Sequence, residues 1–251
     1  MIVVPALAPA SDLYRSAGFT VVPGGRHDVI PTENALIAFE DRTYLELIAL
    51  RDDEARASLQ LRASRPGWSA ELRSGSAVGR RFYPRLTGEP GTSDFVIAVR
   101  GIERLAAEAR RRGFAMTGPT TLSRERHDGA RLEMALVLPE SPVLPFFIED
   151  RTPRELRVPG GEQARHANGA LGIAEIRVRA ESVPTATLAY AELFDAAPRA
   201  LEGGRAQLVV GGVRVVLESG APEGACGVTL KGASDLPPEL LAHGLTTAPE
   251  A

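Results

Sequence analysis

A carboxylate, Glu46, stands in the middle of the apolar run Tyr44-Leu45-Glu46-Leu47-Ile48. Strand side chains alternate between faces, so Tyr44, Glu46 and Ile48 share one face and Leu45 and Leu47 the other. An acid on a half-buried face is costly unless paired, and in a cavity it can serve as a ligand or a base. The plainer alternative is a Glu on a wet sheet face. Comparable runs end in Glu149, within Phe146-Phe147-Ile148-Glu149-Asp150, and in Glu218, within Val215-Val216-Leu217-Glu218-Ser219. His27 follows Pro23-Gly24-Gly25-Arg26 and titrates near neutral pH, unless it only stabilises the turn. His127 repeats that setting in Arg126-His127-Asp128. Tyr44 can hold the Glu46 carboxylate or line a pocket. His166 lies in a Pro/Gly-rich stretch and suits packing between modules better than chemistry. Trp68 and the pair Phe82-Tyr83 read as packing aromatics rather than a lid.

Composition narrows what these groups can serve. The chain has 251 residues, 44% hydrophobic and 24% charged, which is globular composition for one large domain or two small ones. A net charge of −3 offers no nucleic-acid surface. Arg110-Arg111-Arg112 ends an expected helix, where cations complement the macrodipole. Cys226 is the only cysteine, so no intrachain disulfide and no thiolate zinc site can form. No apolar stretch is long enough for a bilayer, and the opening Met1–Ala10 lacks the basic leading segment of a signal peptide. It reads as a buried strand of a soluble, cytoplasmic protein. No phosphate loop or nucleotide fingerprint is present.

Three segments must position the candidate residues, and they read alike. The first gives a strand at Ile2–Val4 and a helix at Ser11–Ala17, capped by Ser11 and ended by Gly18. A strand at Phe19–Val22, the Pro23-Gly24-Gly25 turn, and strands at Asn34–Glu40 and Thr43–Leu50 follow. The second gives a strand at Asp94–Val99, a helix from Ile102 to Arg112, and strands at Phe114–Met116, Ala130–Leu138 and Leu144–Ile148. The third gives a strand at Ile173–Val178, a helix at Pro184–Phe194, and a hairpin of Ala206–Val210 and Val213–Glu218 across Gly211-Gly212. Its second strand after the helix is not visible. The pattern is α+β, with βαβββ modules that bury their faces on one another. The expected division is residues 1–150 as two modules, 1–50 and 93–150, joined by a connector at 51–92 with one helix at its start. A linker at 151–170, a third, partial module at 171–233 and a tail at 234–251 complete it. A bare third module would expose apolar surface and seek the first two modules or a second chain, as in a homodimer.

Paired βαβββ modules, each closing on a strand with a central Glu, resemble the vicinal oxygen chelate superfamily, which includes glyoxalase I, bleomycin-resistance proteins and extradiol dioxygenases. The stretch "AGFTVVPGGRHDVIPTENALIAFEDRTYLELIAL" looks like the bacterial glyoxalase-like domain, with its "PGG-x-H" turn and "YLEL" strand, and "HANGALGI" is similar to an "HPNG" segment after the second module there. The resemblance covers roughly residues 1–180. It implies two modules curled into a curved-sheet cup, with a divalent metal held by a His on the first strand and a Glu on the last strand of each module. The Glu positions fall on Glu46 and Glu149, the His positions on Met1 and Phe95. Met offers only a soft thioether and Phe no donor, so a weakly bound divalent metal, or more readily none, is expected.

The expected function is binding of a small oxygen-bearing molecule in the cup. Glu46, Glu149 and His27 are the candidate catalytic groups, and Tyr44, Phe95 and His127 the candidate ligand contacts. Turnover would make the chain a lyase, isomerase or hydrolase. The alternative is a drug- or metabolite-sequestering protein of the bleomycin-resistance type.

Overall fold

The computed structural model describes residues 1–126, 128–233 and 235–248. In the first module, Ile2–Val3 (β1), Leu7–Ser16 (α1), Val22–Arg26 (β2), Thr32–Ala38 (β3) and Tyr44–Leu50 (β4) follow in order. Helix α1 starts ahead of the expected Ser11. Pro9 lies in its first turn, where a missing N–H costs little, and Ser11 is buried inside the helix instead of capping it. Pro23-Gly24-Gly25 is no turn but the body of β2, which is bulged between Pro23 and Arg26 against β3.

The connector holds three helices rather than one: Asp53–Ala63 (α2), Trp68–Ser74 (α3) and Ala77–Leu86 (α4). Asp52 accepts from the Ala55 N–H and Ser76 from the Gly79 N–H, so α2 and α4 each begin on a side-chain cap. After Gly91–Thr92 (β5), the second module runs Val96–Ala98 (β6), Ile102–Arg111 (α5), Met116–Glu125 (β7), Arg131–Pro139 (β8) and Phe146–Asp150 (β9). The expected short strand at Phe114–Met116 is in fact a ten-residue partner of β8.

The third segment contains Gly172–Ala180 (β10), Val183–Phe194 (α7), Arg199–Ala200 (β11), Ala206–Val210 (β12) and Val213–Ser219 (β13). Gly224–Lys231 (β14), Pro238–Ala242 (α8) and Leu245–Thr247 (β15) follow, and a one-turn helix, Arg154–Arg157 (α6), precedes them all in the linker.

Among the described residues three open sheets result, ordered β2-β3-β4-β1-β5, β6-β9-β8-β7 and β11-β12-β13-β10-β14-β15. In each, the first strand lies parallel to the last strand of the hairpin, β1 on β4, β6 on β9 and β10 on β13. The strand missing from the sequence reading of the third segment is β11, only two residues long and too short to carry a periodic signal. Among the described residues the first and second sheets meet at one backbone bridge, Gly25 with Arg126.

The largest core joins the helix side of the first module to the third. Ile37, Leu45, Leu47 and Tyr14 lie in one cluster with Val178, Leu208, Leu217 and Tyr190. Tyr190 donates to the Val143 carbonyl at 2.7 Å, and Lys231 pairs with Asp41 at 2.9 Å, so the third segment is fastened to both earlier ones. Among the described residues no helix is long and apolar enough to cross a membrane.

Candidate functional site

The faces of the first two sheets turned away from their helices look into one cavity of about 130 Å³. The second sheet supplies an apolar wall, including Met134, Leu136, Phe146 and Ile148. Helix α4 closes the far side with Val78, Phe82 and Leu86, an i, i+4, i+8 stripe that faces the strands. Phe82 stands edge-on to Phe146 with centroids 5.4 Å apart. The helix is pinned from behind by a buried ion cluster. Arg81 makes a two-pronged contact with Asp94 at 2.8 Å for each bond, and its remaining N–H groups donate to the carbonyls of Pro139 and Leu144. Arg85 adds a second cation to Asp94 at 2.9 Å.

The polar wall comes from the first sheet. Strict alternation brings Asn34 and Leu36 of β3 beside Tyr44, Glu46 and Ile48 of β4, all lining the cavity. Asn34 Nδ2 donates to Glu46 Oε1 at 2.5 Å. The orientation of that amide is settled by two donors on its oxygen, the Gly25 N–H at 2.9 Å and Arg124 Nη1 at 2.7 Å. Arg124 therefore reaches from β7 across the seam between the modules. Glycine at 24 and 25 is what makes room. A Cβ on Gly24 would fall on the Asn34 amide, and one on Gly25 would sit 3.0 Å from the Glu125 carbonyl oxygen and 3.1 Å from Arg124 Nη1. The Gly pair serves side-chain approach rather than a change of chain direction.

Arg124 is only 5% exposed and forms no ion pair among the described residues. Burial lowers its pKa, opposed by the charge of Glu46. Nη1 is taken by Asn34, while Nε and Nη2 have no protein acceptor among the described residues. Neither is a sealed orphan, since the only one among the described side chains is Ser93 Oγ. Arg124 lines the cavity, and these are the donors it has left for a guest.

His27 also lines the cavity. Its Nδ1 lies 2.9 Å from Thr32 Oγ1, whose hydroxyl donates to the Ile30 carbonyl. Nδ1 is thus the protonated nitrogen and Nε2 the free acceptor. Burial pushes the imidazole below its usual pKa, towards the neutral form. Tyr44 is fixed by Arg157, which donates to its hydroxyl at 2.8 Å and pairs with Asp150 at 2.5 Å.

His27, Tyr44 and Glu46 are brought together; the other candidates are not. Glu149 faces the opposite side of β9, where it accepts from the N–H groups of Gly101 (2.6 Å) and Ile102 (3.3 Å) at the start of α5 and pairs with Arg151 at 2.8 Å. Those backbone bonds lower its pKa. It is a helix-terminus anchor. Phe95 packs into the core on the helix side and not the cup. His127 lies outside the described residues.

Register explains both misplacements. Val4 N donates to the Ile48 carbonyl and Val99 N to the Ile148 carbonyl, each at 2.9 Å. Counting back from these equivalent bonds, Val96 stands where Met1 does and Phe146 stands where Glu46 does. The four positions expected to hold a metal are Met1, Glu46, Val96 and Phe146, with one hard donor among them. Among the described residues no cluster of three or more His, Cys, Asp or Glu side chains could hold a metal ion. The residues present do not fit the divalent ion associated with the superfamily.

Sequence reasoning missed Arg124, Asn34, Arg157 and α4. The Val78, Phe82, Leu86 spacing was the available signal for the helix. For Arg124 the signal was alternation with Leu122 on a strand that the Gly118-Pro119 step obscures. His166 does pack, as expected: Nδ1 accepts from Thr20 N at 3.0 Å and Nε2 donates to the Ala38 carbonyl at 2.9 Å.

Residues 1–194 match the family described as glyoxalase-like domain. No curated protein matches. Among solved structures, a hypothetical protein from Staphylococcus aureus superposes with a TM-score of 0.69 at 15% identity, covering 93% of this chain and 90% of that one. A catechol 2,3-dioxygenase gives 0.51 at 14% identity over 97% of this chain and 71% of that one. A Mn(II)-bound glyoxalase from Novosphingobium aromaticivorans gives 0.55 at 12% identity over 94% of this chain and 64% of that one. At these identities the likeness is one of fold.

Proposed function

The chain belongs to the glyoxalase-like domain family of the vicinal oxygen chelate superfamily, and from that membership we propose that its cup binds a small oxygen-bearing organic molecule through side chains alone, without a metal. The observation that carries this reading is the Arg124–Asn34–Glu46 chain on the polar wall of a cavity whose other wall is apolar. Burying a guanidinium and half-burying a carboxylate is costly, and a cup that only held hydrocarbon would need neither. The cavity, about 130 Å³, is close to the roughly 150 Å³ that accommodates a benzene ring.

The test is protein-observed NMR with small ring compounds. Shift changes should cluster on the methyl groups of Met134, Leu136 and Ile148. Glu46→Gln should weaken ligands that donate an O–H or N–H to this carboxylate about tenfold, the worth of one charged hydrogen bond, and leave toluene unaffected. Binding that vanished with a chelator would overturn the metal-free reading.

A second reading, turnover, is favoured by one feature: neutral His27, with Nε2 open to the cup, lines it together with Glu46. Such a pair suits proton transfer at a carbon next to a carbonyl, with Glu46 taking the proton, His27 Nε2 relaying it and the free Arg124 N–H groups polarising the oxygen. Deuterium from solvent appearing in a bound ketone, and absent with Glu46→Gln, would establish it. Absence of exchange in the wild-type chain leaves the protein a sequestering one.

A further inference from the structure

Resting on the reading of the cup as a ligand site, we infer that its ligand is a net-neutral molecule with an acceptor oxygen and a donor N–H or O–H at one end of an apolar body. A primary amide, a lactam or a hydroxyketone has this chemistry. The inference comes from counting the charges that face the cavity and asking which hydrogen-bonding capacity they leave unused.

Arg124, Arg157 and Glu46 line the wall, and Asp150, outside the lining, compensates Arg157. Arg157 and Asp150 are joined at 2.5 Å, with Tyr44 completing the cluster. Arg124 and Glu46 are not in direct contact but are linked through the Asn34 amide, 2.7 Å on one side and 2.5 Å on the other. His27 is held neutral by burial. Burial also pushes the Met1 amino group towards its neutral form, and that group is already spent on the Asp94 carbonyl at 2.8 Å. Asp28 is exposed at the rim, where water screens it. The desolvated wall therefore carries no net charge. An anionic or cationic guest would bring an uncompensated charge into an apolar cavity, which is unfavourable.

Electroneutrality alone would admit hydrocarbon. The unused hydrogen-bonding groups are more selective. Arg124 Nε and Nη2 remain as donors, and Glu46 Oε2 accepts nothing from the described residues, while Oε1 is taken by Asn34. A guest must offer an acceptor to the first and a donor to the second, or leave two charged groups desolvated and unpaired. The Asn34 side chain shows the complementary pattern itself, with its oxygen towards Arg124 and its NH₂ towards Glu46.

Four probes of one shape separate the possibilities: benzamide (neutral, with donor and acceptor), benzoate, benzamidinium and toluene. Each is titrated calorimetrically at neutral pH into the full chain. Benzamide should bind at least about tenfold tighter than either ion and than toluene. Glu46→Gln, which leaves Arg124 unbalanced, should move the preference to benzoate. Arg124→Gln, which leaves Glu46 unbalanced, should move it to benzamidinium. An ion as the tightest wild-type ligand, toluene equal to benzamide, or a preference unmoved by Glu46→Gln would overturn the inference while leaving the cup a ligand site. If none of the four binds, it is the reading of the cup itself that fails. Should Arg124→Gln not fold, the wild-type order and Glu46→Gln still decide.

Discussion

Replacing Arg81 by Met should loosen the wall of the cup from behind. Arg81 and Asp94 have side chains 4% and 2% exposed, and the guanidinium makes four hydrogen bonds: two to Asp94 and one each to the Pro139 and Leu144 carbonyls. Removing one member of a buried ion pair costs about 3–5 kcal/mol, because its partner stays buried without compensation. Asp94 would retain Arg85 and the Phe95 N–H, so the lower end, about 3 kcal/mol, is expected. For a chain of this length each kcal/mol moves Tm by about 2–4 °C, giving a fall of about 6–12 °C. The control is Arg165→Ala, whose pair with Glu40 is exposed, screened by water and expected to contribute little. Thermal unfolding followed by circular dichroism, at one protein concentration and scan rate, measures both. A fall for Arg81→Met no larger than for Arg165→Ala would refute the reasoning and remove the argument that α4 is a fixed wall. A normal fall with unchanged probe binding would mean that α4 holds its place through Phe82 and Val78 alone.

Acid should destabilise the fold from near pH 6.5 downward. His27, His166 and His243 all have pKa values lowered by burial, so the unfolded chain takes up protons first and stability drops as pH falls through the unfolded value of about 6.5. Urea midpoints across pH 5–8 would show it, and a flat profile would contradict it. Glu149→Gln should lower stability modestly through the start of α5 and leave probe binding in the cup unchanged; lost binding would return Glu149 to the site. Elemental analysis of protein purified without added metal should find well under one equivalent of zinc, nickel, iron or manganese per chain, and a full equivalent surviving dialysis would overturn the metal-free reading.

The first module was legible because its signals reinforce one another. Alternation through Tyr44–Leu50 gives the face of Glu46 directly, and the short Asp41-Arg42 turn fixes how that strand pairs with its neighbour. The second module failed at a single residue. In Leu144-Pro145-Phe146-Phe147-Ile148-Glu149 the apolar run has no alternation to count from, and a one-residue slip turns every side chain to the other face. Aligning acid with acid put Glu149 in the cup, whereas the backbone bonds put Phe146 there. Phe95 is displaced for the same reason, with Val96 taking its place. Pro23-Gly24-Gly25 carried the composition of a turn, yet its glycines answer to Asn34 and Arg124, residues nine and more positions away that no local rule consults. Helix α4 hid in a Gly/Ser/Arg-rich stretch with Pro84 inside it, and only its three-residue apolar stripe betrays it. Arg124 was unreadable as a functional residue, because its value lies in what it does not pair with.

The seam between the two halves of the cup has a mechanical consequence. Sheet ladders normally set the width of such a cavity through many backbone bonds, but among the described residues one rung, Gly25 to Arg126, joins the halves at one edge and the Met1 main chain, bonded to Ser93 and Asp94, joins them at the other. Between those edges the span is bridged by side chains, Arg124 to Asn34 and Arg157 to Tyr44, each with several rotatable bonds. Arginine tethers can swing and still hold their partners, so the aperture can widen or narrow by rotamer changes while each sheet keeps its own ladder. A guest gripping Arg124 and Glu46 at once spans that seam and acts as a cross-link. Its size would set how far apart the two sheets stand, and the stiffness of the cup would come from its contents.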